Sequence, residues 1–124
     1  MSGVELQEAI PILRFYDEAA TRRFYEGYLG FAIEWEHRFA AALPLYMQIV
    51  RGGLTLHLSQ HHGDATPGSA VFVRMRGVEA LHAELSAKDY PFLRPGIESA
   101  PWGARTLTLL DPAGNRLFLN DYGE

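Results

Sequence analysis

The sequence predicts an α+β fold in which one order of elements, strand, helix, then three strands, occurs twice. Three observations carry this. A capped amphipathic helix near the N-terminus is followed by three strand-like stretches. A polar, breaker-rich stretch, His61 to Gly68, then interrupts the chain near its middle. After it come a strand, a short helix and a closing hairpin in the same order. Identity between the halves is slight, so the repeat is one of architecture. The 124 residues are expected to form a single domain over 1–124, with a first module over about 7–62 and a second over about 68–122.

Each element has a local cause. Asp17 is a good helix N-cap, Ala20, Phe24 and Tyr28 recur every four residues, and Gly30 stands where a left-handed C-cap belongs. Phe31, Ile33 and Trp35 then alternate with Ala32, Glu34 and Glu36 as a half-buried strand. Leu45 to Val50 is the next strand, Gly52-Gly53 a tight turn, and Leu54 to Gln60 the strand after it. In the second half Ala70 to Arg76 is a strand, and Val78, Leu81 and Leu85 mark a short helix ending before Pro91. Phe92 to Pro95 reads as a short edge strand limited by proline. The closing hairpin turns at Asp111-Pro112-Ala113-Gly114-Asn115: the carboxylate bonds N–H groups ahead of it, Pro presets φ, and Gly114 takes positive φ cheaply.

Composition excludes several function classes. No apolar run approaches the ~20 residues needed to cross a bilayer. The first residues, Met1 to Glu5, lack the basic segment and apolar core of a secretion signal, so a cytoplasmic location is expected. With no cysteine there is no disulfide, thiolate nucleophile or cysteine-bound zinc. A net charge of −4 without a Lys/Arg cluster argues against nucleic acid as a partner.

Alternation sorts the strands into two faces. Leu54, Leu56 and Leu58 oppose Thr55, His57 and Ser59; Val71, Val73 and Met75 oppose Ala70, Phe72 and Arg74; Leu117 and Leu119 oppose Arg116, Phe118 and Asn120. The aliphatic sets should pack against helices, at roughly 25 cal/mol per Å² of buried apolar area. The mixed sets are left to line a cleft.

The hairpin from Pro101 to Leu119, taken with Asp17, Phe24-Tyr25 and Leu29-Gly30-Phe31, resembles the vicinal oxygen chelate superfamily of glyoxalases, extradiol dioxygenases and bleomycin-resistance-type binding proteins. The resemblance runs from Ala9 through Asn120 and is strongest over Pro101 to Asn115. It implies two βαβββ modules side by side, with curved sheets carrying helices outside and a cleft inside. It also implies a homodimer whose clefts are completed by both subunits. In metal-dependent members, ligands come from the cleft face of four strands, and the matching positions here are Ile10, His57, Ala70 and Phe118. A slip of one at Ala70 gives Ser69, no better a ligand. A divalent ion needs about three His, Asp, Glu or Gln donors. Of the four positions only His57 can coordinate, so no metal and no cofactor are expected.

Each remaining candidate has an ordinary reading beside its functional one. His57, between Thr55 and Ser59, reads as a hydrogen-bonding residue or a ligand contact. His61 and His62 lie in a loop bounded by Gly and Pro and read as solvated. Pro101-Trp102-Gly103 resembles the tripeptide whose tryptophan, in bleomycin-resistance proteins, stacks the drug's flat bithiazole; Trp35 and Phe39 fall where that family supplies further aromatics. Trp35 fits the core equally well, through its alternation with Phe31 and Ile33. The leading expectation is a metal-free, non-catalytic homodimer that binds a planar or aromatic ligand such as a bleomycin-type antibiotic. The expected ligand-binding residues are Trp102, Trp35, Phe39, His57, Phe118, Phe72 and Arg116. Bleomycin-resistance proteins are strongly acidic, whereas −4 is modest and Arg14, Arg74 and Arg116 point toward the cleft. The alternative is a metal-dependent lyase or dioxygenase with a non-standard site, built from His57 with His61 or His62.

Overall fold

Two four-stranded mixed sheets of the same topology form the protein, described here for residues 3–123 of a computed structural model. The first contains β1 (Ile12–Arg14), β2 (Ala32–His37), β3 (Tyr46–Arg51) and β4 (Leu54–Ser59), in the order β1-β4-β3-β2. The second contains β5 (Ala70–Met75), β6 (Glu98–Ser99), β7 (Arg105–Leu110) and β8 (Arg116–Asp121), in the order β5-β8-β7-β6. In each, the first strand pairs parallel with the last, and the others pair antiparallel. The registers match as well: Ile12 lies beside His57 in the first sheet, and Phe72 beside Phe118 in the second.

One face of each sheet is core. Leu56, Leu58, Met47 and Ile49 from the first and Leu107, Leu109, Leu117 and Leu119 from the second join a single buried cluster. The helices lie on this side. Helix α1 (Glu18–Arg22) starts at Asp17, whose side chain accepts from Ala20 N at 3.0 Å. It continues as a π-helical segment, Arg23–Tyr28. That widening departs from the uniform four-residue repeat read in the sequence, and it has a consequence. Phe24, Tyr25 and Tyr28 are all buried, and Leu29 N donates to Phe24 O across five residues at 2.8 Å. The Tyr25 hydroxyl thereby donates to Asp111 Oδ2 at 2.6 Å, in the turn of the other module.

Helix α2 (Val78–Ser86) is tied to the core face of the second sheet, where Asp121 Oδ2 accepts from Gly77 N and Val78 N. It also reaches the first sheet through Arg51, whose guanidinium makes a two-point contact with Glu84 at 2.8 and 2.9 Å. Asn115 Nδ2 donates to Arg14 O at 2.8 Å and completes the crosswise bracing. Among the described residues, no helix is long and apolar enough to cross a membrane.

Two sequence expectations are corrected. Residues 92–95 form no strand; the edge strand is Glu98–Ser99. Pro91 and Pro95 bracket that segment and cannot donate to a ladder, while Leu93 packs on the core. The strand after Gly30 is also not regular. A bulge between Ile33 and Trp35 shifts the register, so Ile33 pairs with core residue Ile49 whereas Trp35 pairs with Gln48 on the opposite face.

Candidate functional site

With both cores on the helix side, each sheet leaves its other face open. On the first sheet β-register aligns Ile12, His57, Gln48 and Trp35 in one row, and Arg14, Ser59, Tyr46 and His37 in the next. The bulge is what brings Trp35 here, 42% exposed, rather than into the core. Its indole lies parallel to the Tyr46 ring, with centroids 6.0 Å apart and 11° between planes, and meets His57 edge-on at 5.4 Å. Trp35, His37, Phe39, Tyr46, His61 and Asp64 line a mostly apolar cleft of about 340 Å³.

A directed hydrogen-bond chain holds this wall. Gln48 Nε2 donates to Glu34 Oε1 at 2.6 Å, so the amide oxygen faces His57. His57 Nε2–H must then donate to that oxygen, at 2.8 Å. The Tyr46 hydroxyl donates to His57 Nδ1 at 2.7 Å. Burial and, secondarily, the nearby Asp64 carboxylate push the Tyr46 phenol above its usual value, so it stays a donor. Asp64 Oδ2 in turn accepts from Ser59 Oγ at 2.7 Å.

The open face of the second sheet is built differently. Its rows run Ala70, Arg116, Leu110; then Phe72, Phe118, Thr108; then Arg74, Asn120, Thr106 and Glu98. Phe72 is 54% and Trp102 56% exposed. The Arg116 guanidinium lies over the Phe118 ring at 5.5 Å. Trp102, in the turn before β7, donates from Nε1 to Asn120 Oδ1 at 3.0 Å, while Asn120 Nδ2 bonds Phe118 O at 2.9 Å.

The sequence-derived candidates therefore fall into two groups. Trp35, Phe39 and His57 stand on or beside the first open face, and Phe72, Phe118, Arg116 and Trp102 on the second. The cleft on the first face is lined by Trp35 and Phe39 and by no residue of the second group. Tyr46 and Gln48 were missed, although their alternation with Met47 and Ile49 carried the signal. Asp64 belonged to a segment read as linker, and only tertiary contact reveals it.

Comparison with known proteins fits this geometry. A family profile described as glyoxalase superfamily protein matches residues 1–124. The chain belongs to the glyoxalase superfamily. Its structural neighbours include bleomycin-binding and bleomycin-resistance proteins. A bleomycin-binding protein from Streptomyces verticillus, crystallised with copper(II)-bleomycin, is 28% identical with a TM-score of 0.68, over 98% of this chain and 99% of that one. A bleomycin resistance determinant encoded on transposon Tn5 is 24% identical, with a TM-score of 0.73 over 96% and 100%. A glyoxalase-related enzyme from Clostridium phytofermentans shares the fold at 19% identity and a TM-score of 0.73, over 98% of each chain. No curated protein matches in sequence.

The metal that names the wider superfamily does not fit the residues present. Both imidazole nitrogens of His57 are already hydrogen-bonded within the wall, so coordination would first break the Tyr46 or Gln48 bond. Ile10 and Ala70 offer no donor, and Phe118 presents a ring under Arg116. Stripping a dication of water without replacing its ligands costs many kcal/mol. Among the described residues, no three His, Cys, Asp or Glu side chains converge as a cation-holding group.

Proposed function

We propose that this protein sequesters a planar aromatic small molecule without transforming it. Two copies pair so that the open face of one sheet from each copy closes a shared cleft. The carrying observation is that flat rings stand exposed on both open faces: Trp35 and Phe39 on one, Trp102 and Phe72 on the other, with half-buried Phe118 beside Phe72. Rings of this kind give large contact area and stacking geometry at low entropic cost. His57 contributes as a fixed polar edge within the first wall and Arg116 as a charge on the second. A bleomycin-type antibiotic is the first ligand to test, because the 28% identical Streptomyces verticillus protein was crystallised with copper(II)-bleomycin.

Titrating the intrinsic tryptophan fluorescence tests this directly. Saturable quenching by bleomycin or by another flat aromatic compound, at micromolar protein, is the expected result. No response to any of them overturns the binding role. Sedimentation equilibrium is expected to give twice the 13.9 kDa chain mass, and a monomer at all concentrations overturns the shared cleft.

A further inference from the structure

We infer that the open face of the second sheet selects aromatic ligands bearing a carboxylate. This deepens the proposed function and rests on its reading of that face as a cleft wall. The argument begins with where positive charge is left unpaired. Arg22, Arg38, Arg51, Lys88 and Arg105 each meet a carboxylate. Among the described residues Arg74, Arg76 and Arg116 form no such pair, and all three lie on or directly after strands of the second sheet. The other arginines without a carboxylate, Arg14, Arg23 and Arg94, lie outside that sheet. In a chain of net charge −4, this is a local reversal of sign.

The register gives the reversal a shape. Phe72 and Phe118 sit side by side at the centre of the face. Arg116 lies two residues away in one direction along β8, and Arg74 two residues away in the other along β5, about 7 Å each at strand spacing. Arg74 and Arg76 share with Tyr122 a cleft of about 370 Å³. The face carries one carboxylate in Arg74's row, Glu98, three strands away and so about 14 Å distant. A flat ring laid on exposed Phe72 therefore has Arg74 at one end and Arg116, over the neighbouring Phe118 ring, at the other. Exposed in water, these charges cost little; once ligand and a second copy cover them, they require a counter-charge. A carboxylate matches the guanidinium fork in two-point geometry. A cationic ligand meets like charge at the same place.

The test compares three flat probes on the full chain by tryptophan fluorescence: naphthalene-2,6-dicarboxylate, its dimethyl ester, and the cationic dye thioflavin T. The dicarboxylate is expected to bind at least about tenfold more tightly than the ester, with affinity falling as salt rises. An Arg74→Gln/Arg116→Gln variant, its fold checked by circular dichroism, is expected to lose that advantage, with the ratio of dicarboxylate to ester affinity falling to about one; Arg116→Gln alone serves if the double variant misfolds. Equal affinity for ester or dye, or a dicarboxylate preference that survives the variant, overturns this inference and leaves the proposed function standing. Failure of all three probes and of bleomycin overturns both.

Discussion

The first open face is cross-braced and the second is loosely dressed. On the first, Trp35, Tyr46 and His57 are locked by ring contacts and by a hydrogen-bond chain that runs from Tyr46 through His57 and Gln48 to Glu34. On the second, Phe72 lies in the open beside half-buried Phe118, with one indole bond to Asn120 and one guanidinium over the Phe118 ring. A braced wall has already lost side-chain entropy before a ligand arrives, so stacking on it costs less. An unbraced wall adapts, and what it adds is charge. The two modules share topology, so this difference comes from the β2 bulge, which turns Trp35 outward, and from side chains.

The largest expected effect falls on the support that both walls share. Asp111 is buried and accepts from the Tyr25 hydroxyl, Ala113 N, Asn115 N and Asn115 Nδ2. Asp111→Ala leaves those donors unpaired and is expected to destabilise the fold by about 3 kcal/mol, measured by urea denaturation. A cost under about 0.5 kcal/mol would show that the modules are held by apolar packing alone.

The walls themselves separate next. Trp35→Ala should weaken binding of a planar ligand roughly tenfold while changing stability little, since the ring is half-exposed. Trp102→Ala should weaken binding too, but also cost about 1 kcal/mol of stability, because fully buried Asn120 loses a partner. Equal stability losses at the two positions would erase the contrast. Tyr46→Phe removes the donor to His57 and is expected to cost about 1 kcal/mol, with a smaller loss of ligand affinity from a loosened wall.

The smallest effects are set by pH. Burial first, and then Asp111, hold the Tyr25 phenol well above its usual value. The folded state therefore keeps a proton that the unfolded chain releases. This stability is complete below about pH 10 and is lost as pH rises beyond it. Tyr25→Phe should flatten that alkaline decline. On the acid side, hydrogen bonds from Arg38 and Arg22 lower the Glu18 carboxyl, and those from Arg22 lower Glu36. Their contribution is present above the ordinary glutamate range and fades as pH falls below it. Both pairs are partly solvent-exposed, so the fall should be shallow and weakened by salt.

Much of this was legible in the chain because strand alternation is a local property. Leu54, Leu56 and Leu58 against Thr55, His57 and Ser59 sorted as read, as did Phe72 and Phe118 against Val71 and Leu117. The hairpin turn also followed from its residues, with Asp111 Oδ1 accepting from Ala113 N and Asn115 N, and Gly114 at φ 89°. Trp35 was not legible, because a bulge is an insertion in pairing and leaves no mark in a single strand's pattern. Tyr25 was hidden for the same kind of reason: a π-helical turn changes the period that the eye is counting.

Local chemistry along the chain accounts for the repeated order of elements, the two faces of each strand and the shortage of metal donors at the four strand positions. Period, turn chemistry and side-chain inventory act over a few residues, so they survive without neighbours. Long-range contact is needed to put Trp35 on the open face, to occupy His57 with Tyr46 and Gln48, and to bring Arg74 and Arg116 to either side of the Phe72–Phe118 pair. Each of those depends on which strand lies next to which, and register between distant segments is fixed by packing, not by local preference.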